Sequence, residues 1–535
     1  MNRQEFNRLM LGGGLLLGAS AFGYRGCHSP HQKDADIPEV QNGYVSSKNG
    51  IVNVSLPYSA DQLGHRNIRS REAFLITGKT DPQRTVDIIT RKYGNVIASN
   101  ASKFGIDPGM LEGIIYVESG AYSNAVNASG AAGIVQIMPR IAEAYKMDVN
   151  YEMSDWCTSE IFRLQKALEH ETSTAKTEKI KNKIAGYKVK RAAIDERFNP
   201  YKCLEVASHY LGDEKSKFGR DDFAIWTYHT GRTNALDAVL RFIDPKPPVV
   251  SGRDAQGRVI IDVQATMKKY GLTYSELYFG CSPYRTNPGT YDFIYRQLID
   301  SSAQYPWNAM AAQRLVRMSK KDPVRFRKLV DKYLAAMPDS PSTRVKRNIP
   351  IIEEVTTWYD PNKDHEYTDV NEIISALDKG ELVKLPDNPR ALGFSLNPKE
   401  IGINASSDVR EFFYSTKPET VGMLITLASI TRHESGKYDQ HLTVNSAVRS
   451  REYQKRVGSS DFTTHALGRG VDISRRYKSG RQATAFQYAL DRLRDGNMIR
   501  ALKEDEGHLH LVVNSDPEVV KYFQQVYKQT MELVA

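Results

Sequence analysis

Two groups of residues in this chain have the types and spacing to do chemistry. The first centres on Glu118, in Ile114-Ile115-Tyr116-Val117-Glu118-Ser119-Gly120, followed by the glycine-rich stretch Gly130-Ala131-Ala132-Gly133-Ile134-Val135-Gln136-Ile137-Met138-Pro139. Leu111, Ile114 and Ile115 precede Glu118 by seven, four and three residues, so on a helix all four share one face. A carboxyl on an apolar face resists ionisation, which suits a group that must donate a proton near neutral pH. A surface glutamate at a helix end fits the same spacing. The second group is Thr463-Thr464-His465-Ala466-Leu467-Gly468-Arg469-Gly470-Val471-Asp472, with His508-Leu509-His510 further on. His508 and His510 would share one face of a strand. Two histidines and a carboxylate with an open fourth position is a catalytic zinc arrangement; a structural His-x-His pair reads the same way.

The elements that must position these groups are visible in outline. Asp107-Pro108 supplies an N-cap and a first-turn proline for the helix that ends at Glu118. Helical character begins near Thr85. Residues 158–193 are rich in Lys and Glu with sparse apolar positions, an inserted helical hairpin mostly facing solvent. Pro245, Pro247 and Pro248 mark a boundary. Beyond Val421–Ile430, an apolar helix, the pattern turns α+β, with strands expected at 442–444, 470–473 and 508–513.

At 535 residues the chain is too long for one core, and about three domains are expected. Forty per cent hydrophobic residues supply those cores, and the net charge of +10 suits an anionic polymer. No Lys/Arg block interleaved with aromatics stands out, so nucleic acid is not expected as a partner. Arg3 and Arg8 before an uncharged run from Leu9 to Phe22 read as an export signal. Cys27 sits in a poor context for lipidation, so membrane anchoring through the N-terminus stays open. Four cysteines make no disulfide scaffold; Cys157 and Cys203 read as a pair or as two buried thiols.

Glu118-Ser119-Gly120, Asn124-Ala125-Val126, Gly130-Ala131-Ala132-Gly133, Gln136-Ile137-Met138-Pro139, Asp195–Pro200 and Tyr228-His229-Thr230-Gly231 occur in order. Together they resemble the lytic transglycosylases of lysozyme-like fold over roughly residues 85–240. The inserted hairpin and His229, where an asparagine is usual, depart from the pattern. The resemblance implies one acid and no cofactor. Glu118 would protonate the leaving oxygen, then deprotonate the muramic C6 hydroxyl to give a 1,6-anhydro product. Ser119, Gln136 and Met138 would bind substrate, and Tyr228 would partner the carboxylate. A lysozyme-type muramidase with hydrolytic chemistry is the alternative.

The Thr-x-His-x-x-Gly-x-Gly-x-Asp pattern with a late His-x-His is similar to the zinc D-Ala-D-Ala carboxypeptidases and related wall endopeptidases, over about 410–515. Ser446-Ala447-Val448-Arg449-Ser450 resembles that family's Ser-Gly-Tyr-Arg-Ser, with Ala447 and Val448 as departures. On this resemblance His465, Asp472 and His510 bind Zn2+, and His508 sits beside the reacting carbonyl. Arg449 would hold a carboxylate or the oxyanion. Asp505 or Glu506, with Glu506 preferred, would be the general base.

The expectation is therefore a multidomain, exported protein of the periplasm or cell envelope, acting on peptidoglycan. Residues 1–27 would be a signal or anchor and 28–84 a flexible lead-in. The mainly α lysozyme-like domain would span 85–245. A helical and irregular region at 246–405 would space it from an α+β zinc peptidase-like domain at 406–535. A wall-binding scaffold with an inactive C-terminal domain is the rival from another class.

Overall fold

The computed structural model describes residues 44–78, 81–298, 302–335, 365–402, 406–456, 464–503 and 507–535. The expected export segment and Cys27, much of the expected linker, and Asp505 and Glu506 lie outside them. The chain forms two compact units that alternate in sequence. The first takes Arg71–Tyr278 and Asp292–Leu334; the second takes the described residues up to Ser70, Phe279–Tyr291, and those from 365 onward. Helix predominates, with some sheet.

The expected flexible lead-in is ordered where it is described. Strands β1 (Val45–Lys48) and β2 (Ile51–Val54) pair antiparallel around Asn49-Gly50. Both turn residues have positive φ, 55° and 73°, the geometry that makes Asn-Gly a hairpin turn whose twist matches its strands. Four-residue strands, the first of them polar, gave the pattern too little length to read. Helix α1 (Ala60–Gly78) follows.

In the first unit, α2 (Gly94–Phe104) and α3 (Pro108–Ser119) are joined by a short turn. The Asp107 side chain accepts from Gly109 N at 2.7 Å and Pro108 fills the first turn, as the sequence implies. Met110, Leu111, Ile114, Ile115 and Tyr116 are all buried, making α3 the central helix. Helices α4 (Tyr151–Glu169) and α5 (Thr174–Ile194) are the inserted hairpin, closed along its own seam of Ile161, Leu164 and Ile184. Helices α6 (Pro200–Phe218) and α7 (Asp221–Thr230) complete the sequence-expected set.

One further helix was assigned to the spacer. Helix α8 (Tyr305–Lys321) packs along α3 over much of its length. A Cβ at Gly113 would lie 2.3 Å from the Ala309 carbonyl oxygen, so the two backbones meet there. Burial of Trp307, Ala311, Ala312 and Leu315 drives this docking. Residues 305–321 are therefore core of the first unit, not linker.

The second unit holds a five-stranded sheet. Its strands are β3 (Phe394–Leu396), β4 (Leu442–Ser446), β5 (Gly470–Ser474), β6 (Ile499–Lys503) and β7 (His508–Val513), in the order β6-β7-β5-β4-β3. Only the β3–β4 pairing is parallel. The strands expected at 442–444, 470–473 and 508–513 are present. Strand β3 comes from the stretch read as linker, so the sheet begins before residue 406. Helix α9 (Pro418–Ser435) is buried along most of its length and packs against α10 (Gly480–Asp495) and α11 (Pro517–Val534). The β1–β2 hairpin docks on this core, with Val54 N on Ser429 Oγ at 2.8 Å. Among the described residues no helix is long and apolar enough to cross a membrane.

Candidate active site and candidate metal centre

Glu118 stands in the last turn of α3, half-buried, with Gly120 in the left-handed conformation ending the helix just beyond it. It lines a cavity of about 770 Å³, a size typical of ligand sites. Tyr305, the first residue of α8, donates its hydroxyl to Glu118 Oε1 at 2.7 Å. The Tyr305 ring stacks on His229, with centroids 4.4 Å apart and planes 10° from parallel. Burial, and then the Glu118 charge, pushes the Tyr305 hydroxyl well above its ordinary pKa, so it stays a protonated donor. Asp81, the other acid lining the cavity, uses Oδ1 to cap a helix by accepting from Arg84 N at 2.8 Å.

The residues expected to hold substrate are engaged elsewhere. Ser119 donates to Ile134 O at 2.6 Å, fastening the end of α3 to the glycine-rich turn. Gln136 is buried with φ +54°, and its Nε2 donates to Gly133 O at 2.8 Å and Ala125 O at 3.2 Å. Met138 Sδ accepts from Ser129 Oγ at 3.7 Å. Tyr228 donates to Val135 O at 2.8 Å, so its hydroxyl proton goes to the turn backbone. Burial, then Glu118, also raises the Tyr228 pKa well above its usual value. Among the described residues the cavity lining takes in Ser119 and Gln136 but not Met138 or Tyr228.

The turn itself depends on Gly133. Its φ is +84°, and a Cβ there would come 1.8 Å from Arg197 O. Only glycine allows both the conformation and this approach. The result is a rigid floor beside Glu118, built largely from backbone carbonyls satisfied by Ser119, Gln136 and Tyr228. Tyr305 carried no sequence signal; Tyr305-Pro306 reads as an ordinary helix start.

In the second unit the sheet brings His465, Asp472 and His510 together, all buried, with one ligand atom of each within 4.8 Å of the others. Asp472 and His510 are direct cross-strand partners on β5 and β7. His510 Nδ1 lies 2.8 Å from Asp472 Oδ1, and its Nε2 is 2.8 Å from Thr464 Oγ1. His465 Nδ1 is 2.7 Å from the Ala447 carbonyl, which can only accept, so that nitrogen carries the proton. Its Nε2 is then a lone pair 3.2 Å from Asp472 Oδ1. Two acceptors at that separation need a proton or a cation between them.

Burial lowers the His465 pKa. Burial alone would raise Asp472, but His465 and His510 outweigh it and hold the carboxyl well below its ordinary range. Asp472 Oδ2 accepts from Ser446 Oγ and from Arg449 Nη2, the latter at 2.9 Å. Arg449, expected to hold a carboxylate or oxyanion of substrate, is here paired with Asp472. His508 is half-buried on the same strand face as His510. Glu506 lies outside the described residues.

Residues 95–160 match the family Transglycosylase SLT domain. The membrane-bound lytic murein transglycosylase E of Buchnera aphidicola subsp. Acyrthosiphon pisum (strain APS) is 31% identical over 68 residues. That similarity covers 12% of this chain and 31% of the relative, so the chain spans about a third of the length of the curated relative it matches. The family match takes in Glu118 and the glycine-rich turn. It includes neither Tyr228 nor Tyr305 nor any part of the second unit.

Proposed function

We propose that the first unit is a lytic transglycosylase domain acting on peptidoglycan. The observation that carries this reading is Glu118 alone, at the end of α3 in a ligand-sized cavity, with a protonated phenol on Oε1. A hydrolase of this type ordinarily uses a second carboxyl to manage water or the sugar cation, and Asp81 is committed to a helix cap. One group then serves twice. Glu118 protonates the leaving glycosidic oxygen as the bond breaks. The resulting carboxylate takes the proton of the muramic C6 hydroxyl, which closes on C1 to leave a 1,6-anhydro end. Tyr305, donating to Oε1, holds the carboxyl in place for both transfers. The similarity of residues 95–160 supports the same chemistry.

For the second unit we propose a metal centre on His465, Asp472 and His510, with Zn2+ as the ion and wall peptides as substrate. Two neutral imidazole lone pairs and an ionised carboxylate are a zinc donor set. The Ala447 carbonyl, Thr464, Ser446 and Arg449 supply the outer contacts that orient such ligands. When bound, zinc supplies a Lewis acid and an activated water. His508, beside the trio on β7, would meet the developing negative charge, and Glu506 is kept as the proposed base. Export to the cell envelope belongs to the same proposal.

Mass spectrometry of a muropeptide digest tests both readings. Anhydro-muramic ends that vanish in Glu118→Gln support the first; reducing ends in their place would mean a hydrolase. Peptide-bond cleavage that vanishes in His465→Ala supports the second. A protein that yields neither product is a wall-binding scaffold.

A further inference from the structure

The α4–α5 hairpin is the largest departure of the first unit from the motif pattern, and it builds one wall of the Glu118 cavity. Thr158, Ile161, Phe162 and Gln165 of α4 line it, spaced so that they form one helical stripe. Helix α5 adds Lys188 and Arg191. Phe162 is 54% exposed, and Tyr122, across the turn, is 47% exposed. Lys188 Nζ stands 5.6 Å over the Tyr122 ring. Two exposed rings and a cation at the cavity rim offer an amphipathic ligand both apolar and charged contacts.

Arg191 is only 2% exposed yet lines the cavity. Nη1 donates to Thr158 Oγ1 at 2.9 Å and Nη2 to Asn124 Oδ1 at 3.2 Å, while the guanidinium rests 3.7 Å from the Phe198 ring centre. These contacts pin the hairpin to the turn at Asn124. They leave Nε buried without a hydrogen-bond partner. Among the described residues neither Lys188 nor Arg191 forms an ion pair with an acid. Both cations line the cavity, and an anionic ligand group would complement their charge.

We propose that the hairpin is a specificity arm that binds the peptide substituent of the glycan strand. Lys188 and Arg191 take a stem carboxylate, and Phe162 and Tyr122 pack on the adjoining apolar part. This rests on the reading of the cavity as a glycan site. It adds that bare glycan is the poorer ligand.

The test uses the full chain carrying Glu118→Gln, so that strands bind without being cut. Equilibrium binding is measured to soluble glycan strands bearing tetrapeptide stems and to the same strands stripped of stems by an amidase. The stems should tighten binding by on the order of tenfold. Adding Lys188→Glu, or separately Phe162→Ala, should remove most of that advantage and weaken binding of stripped strands much less. Phe162 is exposed and Lys188 half-buried, and a thermal melt checks the fold. Equal affinity of the parent for both strands, or equal weakening on both, would overturn the proposal. Cleavage by the Glu118 form is followed in parallel. No anhydro product from either strand would end the transglycosylase reading, while the binding comparison still decides the arm.

Discussion

Tyr305 and Tyr228 bring the same group to the neighbourhood of Glu118 and use it differently. Tyr305 gives its proton to the carboxylate; Tyr228 gives its own to the Val135 carbonyl. Tyr305→Phe should therefore lower kcat on peptidoglycan by roughly 10- to 100-fold with little change in KM, consistent with a lost hydrogen bond of about 1.5–3 kcal/mol to a charged group. Tyr228→Phe should instead cost about 1 kcal/mol of stability, read from a denaturant melt, because a carbonyl loses its donor. Glu118 was legible because its cap, its apolar spacing and its closing glycine are all local. Tyr305 was not, since it arrives from 187 positions away. Ser119 and Gln136 line the cavity as their proximity suggests, but their hydrogen bonds to the turn carbonyls could not be read from sequence, because the positive φ of Gln136 sets where its amide goes. That His465, Asp472 and His510 meet was legible for the opposite reason: the register of two strands pairs Asp472 with His510, and His465 lies a short turn before the first of them. At that trio, the folded His465 binds its proton less tightly than its ordinary value of 6.5. The unfolded chain thus takes up a proton that the folded one refuses, so the second unit should lose stability as pH falls through about 6.5. Adding Zn2+ at pH 7 should raise its melting temperature, and His465→Ala should abolish that rise.

Among the elements, the α3–α8 crossing transmits packing to chemistry. Gly113 lets the helices touch at the Ala309 carbonyl. Gly113→Val would force them apart, with a stability cost of about 2 kcal/mol, and would carry the start of α8, and Tyr305 with it, off Glu118. The expected signature is a drop in kcat well beyond what the shifted melt explains at assay temperature. Helices with strong caps and glycine stops were readable from sequence, and so were the strands around the metal trio. The β1–β2 hairpin and β3 were not. VSSK and IVNV are too short and polar to alternate convincingly, and Phe394–Leu396 is defined only by pairing with β4.

For the molecule as a whole, sequence order and structural membership disagree. The first unit is interrupted by Phe279–Tyr291 and resumes at Asp292. A fragment ending near Asp244, where motif reading placed the boundary, would lack α8 and leave apolar surface of α3 uncovered. It should aggregate or melt at markedly lower temperature and show no anhydro product, whereas a fragment reaching Leu334 retains Tyr305. The second unit poses a related problem in time. Tyr44 N bonds Gln529 Oε1 at 3.1 Å, and Tyr522 donates to Ser55 O at 3.0 Å, closing loops of more than 460 residues. On a ribosome, β1 and β2 emerge hundreds of residues before the helix they dock against. Such long-range closure is slow, and until then the apolar face of the hairpin stays uncovered. A cell making this protein holds that face exposed throughout elongation, so co-expressed chaperone should raise the soluble yield more than added final stability does.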